Sequence, residues 1–77
     1  MKGRAVVQVL EKMVRLSRRE AEVLRLIARG RTYAQVAREL GMSLHTVGTH
    51  VKNAYRKLDV HIAAAAVMQA VRLGLIL

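Results

Sequence analysis

The chain has 77 residues, of which 53% are hydrophobic, and carries 14 Lys and Arg against five Asp and Glu, a formal net charge of +9. This length allows one small domain, and the apolar fraction argues against intrinsic disorder. Because the chain has no cysteine, disulfide frameworks and cysteine-based zinc sites are excluded. The positive charge favours an anionic partner, with nucleic acid ahead of an acidic membrane.

The first 15 residues, MKGRAVVQVLEKMVR, are interpreted as an N-terminal segment or linker ahead of a domain at 16–77. Their apolar residues at helical spacing predict an extra short helix, although VVQV would also suit a strand. The apolar stretch is too short and too interrupted for a signal peptide or a membrane span. We therefore expect a cytoplasmic protein that does not bind a membrane.

Two helices with matching start and stop signals follow. Each begins with a capping box, in which one side chain accepts from a free backbone N–H and a second reaches back to the cap. Each is followed by a glycine, which suits a helix end. The residues are Ser17, Glu20 and Gly30 for the first helix, and Thr32, Gln35 and Gly41 for the second. The pattern predicts helices over about 18–29 and 33–40.

A third helix is predicted over about 44–58, with Ser43 as its N-cap. The expected inner stripe recurs at helical spacing and consists of Leu44, Val47, Val51, Tyr55 and Leu58. Asp59 follows, at a position where a left-handed residue is expected. Gly48 lies inside this helix, where glycine costs about 0.5–1 kcal/mol relative to alanine. The presence of glycine there requires an explanation.

A fourth helix, predicted over about 63–73, has no polar N-cap and is apolar nearly all round. The face with Ala66, Ala70 and Leu73 is expected to pack on the domain. The opposite face consists of Ala64, Met68, Val71 and Leu75. Because a surface helix of a monomer is normally polar on its outer face, we expect a homodimer seam there or a cover formed by the N-terminal segment. The alanines favour the dimer, since they let two helices approach closely.

The second and third helices together have the layout of a helix-turn-helix. Small residues stand at the tight points, with Ala37 inside the second helix and Gly41 at the turn, while Val47 and Val51 pack the third helix against the second. In DNA-binding proteins with this layout, the second helix of the motif enters the major groove. The spacing, the capped helices and the net charge therefore indicate a DNA-binding domain.

The stretch LSRREAEVLRLIARGRTYAQVARELGMSLHTVGTHVKNAYRKLDV resembles the DNA-binding domain of the LuxR/GerE family of bacterial transcription regulators. The resemblance covers about 16–76, and the closing AVRLGLI fits this family better than region 4 of sigma factors. It implies an all-α, four-helix domain that binds double-stranded DNA near promoters, often as a homodimer through the fourth helix. RNA polymerase is a further expected partner, and no cofactor is expected.

The chain departs from the family pattern at three places. Family members commonly carry lysine or arginine at the position of Gly48 and glycine at that of Asp59, and a polar cap where this chain has HIAAA. Gly48 admits two explanations. Either it lets DNA approach closely, or it marks a lost contact that leaves specificity to other residues.

The third helix supplies the candidate DNA contacts. With Val47 and Val51 facing inward, helical geometry turns His45, Thr49, Lys52 and Arg56 outward, and the resemblance implies that side chains at 48, 49 and 52 face base edges. The base-facing candidates are Thr49, Lys52, Gly48 and His45. Helix N-termini, hydroxyls and cations suit phosphate, so the backbone-contact candidates are Thr32, Tyr33, Thr46, Asn53, Arg56 and Lys57.

Other functions are less well supported by the sequence. The three histidines lack the spacing of a helical zinc pair, so no metal site is expected. No nucleophile–base–carboxylate set or phosphate-binding glycine loop is present, so we do not expect an enzyme. The alternative to a DNA-binding regulator is a helix-turn-helix module that binds another protein and modulates it. The apolar fourth helix and Gly48 favour that alternative modestly.

Overall fold

The structure is a computed structural model that describes residues 14–76. Its helices are α1 (Arg18–Ala28), α2 (Tyr33–Leu40), α3 (Leu44–Leu58) and α4 (Ala63–Arg72). The predicted bounds of α2 and α3 are confirmed, whereas α1 and α4 each end one residue earlier than predicted. The helix expected near the N-terminus falls on residues 1–13, outside the described part. Within 14–76, no helix combines the length and the hydropathy needed to cross a bilayer.

The helix ends are determined by local interactions that can be predicted from the sequence. Both predicted capping boxes are formed, by Ser17 with Glu20 and by Thr32 with Gln35. Gly41 adopts a left-handed conformation with φ of 65°, which glycine tolerates at little steric cost and which turns the chain between α2 and α3. Asp59 is left-handed as well, with φ of 56°, and ends α3 as predicted.

Two clusters of buried side chains hold the helices together. One lies between α1, α3 and α4 and includes Leu24 and Leu58, and the other joins α1, α2 and α3 and includes Val23 and Val36. Neighbouring residues of α1 therefore pack into different clusters, and α1 contacts all three other helices. Helix α3 contributes to both clusters along its length, so its rotation about its own axis is set.

One predicted member of the inner stripe of α3 is wrong. Leu44 is 57% exposed, whereas Ala54, which the stripe omitted, is fully buried. The buried residues of α3 are Val47, Val51, Ala54 and Leu58. These steps of four, three and four residues follow the period of a helix that is packed along its whole length. Leu44, the first residue of α3, is left in solvent, although Val47 in the same turn is fully buried.

Helix α4 starts without a polar cap, as the sequence suggested. Its N-cap residue, Ile62, makes no capping hydrogen bond through its side chain and is 64% exposed. Ala66 and Ala70 are fully buried against the first cluster, which confirms the predicted inner face. Packing against the domain, rather than end capping, therefore holds α4 in place.

Candidate nucleic-acid interface

The outer face of α3 faces solvent because the inner face of the helix is buried. Val47 and Ala54 are fully buried and Val51 is 4% exposed, so the opposite side of the helix must face solvent. That side carries His45, Thr49, Lys52 and Arg56, all of them exposed. The structure thus brings three of the four base-facing candidates together with Arg56 on one face.

The hydroxyl of Thr49 is turned towards the helix. Its Oγ1 donates to the carbonyl oxygen of His45 at 3.1 Å, which uses its only hydrogen. The lone pairs of Oγ1 and the γ-methyl group remain available. In this rotamer Thr49 is suited to accept from an exocyclic amino group of a base or to contact the methyl group of thymine.

The charges on α3 are uniformly positive. The helix contains no acidic residue, and it carries Lys52, Arg56 and Lys57. Arg56 Nη2 donates to Asn53 Oδ1 at 3.2 Å, which holds both side chains over the same part of the surface. Among the described residues, Glu22 and Glu39 pair with arginines outside α3, namely Arg18, Arg19 and Arg31. The outer face of α3 is therefore a cationic surface.

The starts of α2 and α3 place three further candidates. Thr32 Oγ1 accepts from the backbone N–H of Gln35 at 3.1 Å, which leaves the hydroxyl hydrogen of Thr32 to donate outward. The hydroxyls of Ser43 and Thr46 lie 2.9 Å apart at the first turn of α3. Both helix starts carry exposed N–H groups of the kind that suit an anion. Tyr33, the first residue of α2, is 38% exposed.

A cleft runs along one flank of α3 and has a volume of about 530 Å³. Its walls come from three elements, namely α3, the start of α2 and the connection to α4. The lining residues are Gly48, Val51, Lys52, Tyr55 and Arg56, then Tyr33, and then Asp59, Val60 and His61. The cleft therefore opens beside the outer face of α3, and four of its residues are candidate DNA contacts.

Two tyrosines meet in this cleft. Burial, reinforced by the Tyr33 hydroxyl beside it, raises the pKa of Tyr55 to about 12. Tyr55 is half-buried and packs against both core clusters. From the sequence, Tyr55 is expected only to pack in the inner stripe of α3. Tyr55 lies seven residues, or two helical turns, after Gly48, so the two residues share one side of α3. This spacing is the sequence signal that could have placed Tyr55 beside Gly48.

Lys57 is placed differently from the other candidates. Its Nζ donates to Glu20 Oε1 at 2.7 Å, and the same carboxylate oxygen accepts from the backbone N–H of Ser17 at 2.8 Å. Glu20 is only 4% exposed. Burial acts to raise the pKa of Glu20, but the hydrogen bonds from Lys57 and Ser17 and the charge of Lys57 outweigh it and lower the pKa below 4.5. Lys57 thus links the end of α3 to the start of α1.

Replacing Glu20 with Gln tests this link. The amide can still close the capping box, as Gln35 does in α2, but no longer carries the charge that faces Lys57. A carboxylate with a lowered pKa in the folded state stabilises the fold at neutral pH and loses that contribution as it becomes protonated. We therefore expect wild-type stability to fall below about pH 4.5, and the variant to lack much of this decrease.

Urea unfolding at about pH 7 and about pH 3 measures the effect. At neutral pH, Glu20→Gln is expected to lower the free energy of unfolding by about 1 kcal/mol, since Lys57 is partly solvated. Glu22→Gln is the control, because its partners Arg18 and Arg19 are exposed. A Glu20→Gln variant with the full acid sensitivity of the wild type would contradict the assignment.

The outer face of α4 is apolar, as predicted, but one residue is corrected. Met68 is 72% exposed, Val71 is 41% exposed, and Ala64 is also exposed. Leu75 does not lie on this face. Helix α4 ends at Arg72, and the turn through Gly74 brings Leu75 back against the first core cluster, where it is half-buried.

The histidines are dispersed, with His45 on the outer face of α3 and His61 in the cleft. Across residues 14–76, no group of three or more histidine or acidic side chains is arranged to hold a metal ion.

Residues 14–70 match the model of a family described as bacterial regulatory proteins, luxR family. The chain is 50% identical over 60 residues to the transcriptional activator protein CarR of Pectobacterium carotovorum subsp. carotovorum, covering 78% of this chain and 25% of CarR. It is 49% identical over 57 residues to a probable transcriptional regulatory protein NarL of Mycobacterium tuberculosis, covering 74% of this chain and 26% of NarL. The chain thus spans about a quarter of the length of these relatives.

A solved structure titled "Structure of Transcription factor, GerE" superposes on this chain with a TM-score of 0.77 at 31% sequence identity. The match covers 80% of this chain and 92% of the other. The family expected from the resemblance and the four-helix fold are both confirmed. The family model describes regulatory proteins, in agreement with the expectation that the chain is not an enzyme.

Proposed function

Because the chain belongs to the luxR family of bacterial regulatory proteins, we propose that it binds double-stranded DNA as a transcription regulator, with α3 in the major groove. One observation carries this proposal. The outer face of α3 is exposed, polar and free of acidic residues, while its inner face is held by both core clusters. A rigid cationic helix of this kind matches the geometry of a recognition helix.

Base contacts are assigned to the outer face of α3. Lys52 is the strongest candidate, because a lysine ammonium can donate to guanine O6 and N7. Thr49, one turn from His45 and three residues from Lys52, offers a methyl group and acceptor lone pairs. His45 lies at the start of the same face, and Gly48 lies at its edge beside Lys52.

Phosphate contacts are assigned around this face. Arg56 and Asn53 are joined by a hydrogen bond and lie towards the end of α3. They are suited to contact the phosphates of one DNA strand. Thr32, Tyr33 and Thr46 lie at helix starts, where hydroxyls and N–H groups suit phosphate oxygens. We leave Lys57 out of this set, because its ammonium is bound to the buried carboxylate of Glu20.

A second copy of the chain is the proposed partner of α4. Ala64, Met68 and Val71 leave an exposed apolar face that would be covered by the same face of another copy, with the alanine allowing close approach. Such a dimer would place two α3 helices on a DNA site with two-fold symmetry. Binding near promoters in the cytoplasmic nucleoid would also bring the regulator close to RNA polymerase.

The exposed apolar face of α4 also favours a second candidate function. A helix-turn-helix module that binds another protein could use Met68, Val71 and Ile62 as its contact surface, since isolated apolar patches of this kind often mark interaction sites. This candidate does not need the cationic face of α3. DNA binding therefore separates the two functions.

Selection of bound duplexes from a random DNA pool, followed by salt titration, tests the proposal. We expect enriched sites with two related half-sites about one helical turn apart. We also expect the logarithm of the affinity to fall by about 0.9 per neutralised phosphate for each unit of log salt concentration. Absence of binding to any duplex at low salt would reject DNA binding and support the interaction module. Selected sites without symmetry would count against the dimer.

A further inference from the structure

We propose that the cleft beside Gly48 receives one sugar–phosphate unit of the DNA backbone, and that Gly48 lacks a side chain so that the strand can enter. This inference rests on the proposed function, because it concerns how the same face of α3 meets DNA. Of the two explanations for Gly48, the proposal adopts the close approach of DNA and not the loss of a contact.

The fold itself does not need glycine at this position. A Cβ built on Gly48 would meet no heavy atom within 4 Å outside its own helix segment, and Gly48 is not among the residues with positive φ. Alanine would therefore fit without strain and would favour the helix. Neither packing nor backbone geometry therefore requires the glycine, and the proposal assigns it to the approach of DNA.

The chemistry of the cleft matches a sugar–phosphate unit. Its floor is apolar and comes from Val51 and Tyr55, which suits the carbon face of a deoxyribose ring. Its rim carries the exposed guanidinium of Arg56, with the Tyr33 hydroxyl nearby, and these groups suit a phosphate. Lys52, also on the rim, adds positive charge while its ammonium is assigned to the bases. A volume of about 530 Å³ lies in the range of sites that hold small organic groups.

The one acidic residue of the cleft constrains where the phosphate lies. Asp59 comes eleven residues after Gly48, about 16 Å further along the helix direction, and would repel an anion at that end. Lys52 stands one turn from Gly48. The phosphate is therefore placed towards the Gly48 end of the cleft, beside the base-facing surface.

Three variants of Gly48 test the proposal on both the selected duplex and a random duplex. Gly48→Leu fills the cleft and is expected to lower the affinity for both duplexes by about tenfold, since a backbone contact does not depend on sequence. Gly48→Ala should lower it less. Gly48→Lys adds a cation, yet its side chain obstructs the cleft, so we expect no gain in affinity. Thermal unfolding should show that all three variants fold.

Arg18→Leu is the control for an added exposed leucine, because Arg18 is 92% exposed at the start of α1 and lies outside the cleft. Its affinity should fall far less than that of Gly48→Leu. Wild-type affinity in Gly48→Leu, or tighter binding by Gly48→Lys, would overturn the proposal and show a lost contact instead. A loss confined to the selected duplex would overturn it too, because it would indicate base reading. Failure of the wild type to bind any duplex would reject the proposed function itself.

Discussion

Replacing Lys52 with Ala is expected to lower the affinity for the selected DNA site by about tenfold to a hundredfold and to broaden the range of bound sequences. The reason is that Lys52 is exposed at the centre of the outer face of α3, with Thr49 and Arg56 on either side along the helix. Among residues 14–76, none of the ion pairs uses its ammonium. The substitution is therefore expected to remove a contact with a base and to leave the stability of the fold unchanged.

Arg56→Ala is the matched control for this experiment. It removes one positive charge from the same face, but from a proposed phosphate contact, so it should weaken binding to selected and random duplexes alike. Competition between the two duplexes measures the difference. If Lys52→Ala kept the discrimination of the wild type, Lys52 would not be a base-reading residue.

Replacing Leu24 with Ala is expected to lower the free energy of unfolding by about 2–5 kcal/mol. Leu24 is fully buried and belongs to the cluster that joins α1, α3 and α4. Truncation there removes apolar contacts and leaves a cavity between three helices. Since a domain of this size has only about 4–12 kcal/mol of stability, the variant should lose a large share of it, and its DNA binding should fall with the folded fraction.

Leu44→Ala makes the same chemical change at a site that is 57% exposed. Its effect on stability should stay within about 0.5 kcal/mol. Urea unfolding of the two variants measures the contrast. Equal effects at the two sites would mean that the cluster around Leu24 is not what holds α3 in position.

The helix boundaries could be predicted from the sequence because they depend on local chemistry. The capping boxes at Ser17 and Thr32 and the N-cap at Ser43 need only residues three positions away. Gly41 and Asp59 end their helices through the conformation of single residues. Signals that involve residues only a few positions apart can be recognised without knowledge of the tertiary structure.

The inner stripe of α3 shows where local reasoning fails. Leu44 and Ala54 are both apolar and both fit a helical period, so the sequence favours the larger side chain for the core. The choice depends on how far the neighbouring helices extend, and they cover Ala54 but not Leu44. Leu75 is a similar case, because its environment is set by the turn that follows α4.

The sequence by itself determined the family, the four helices and the outer face of α3, because spacing along one helix decides which side chains share a face. Only the tertiary structure decided what lies between helices. It bound Lys57 to Glu20 across 37 positions in the sequence. It also assembled a cleft from Gly48, Tyr33 and the connection to α4. Such contacts depend on the distances and orientations at which helices pack, which no local pattern of residues encodes.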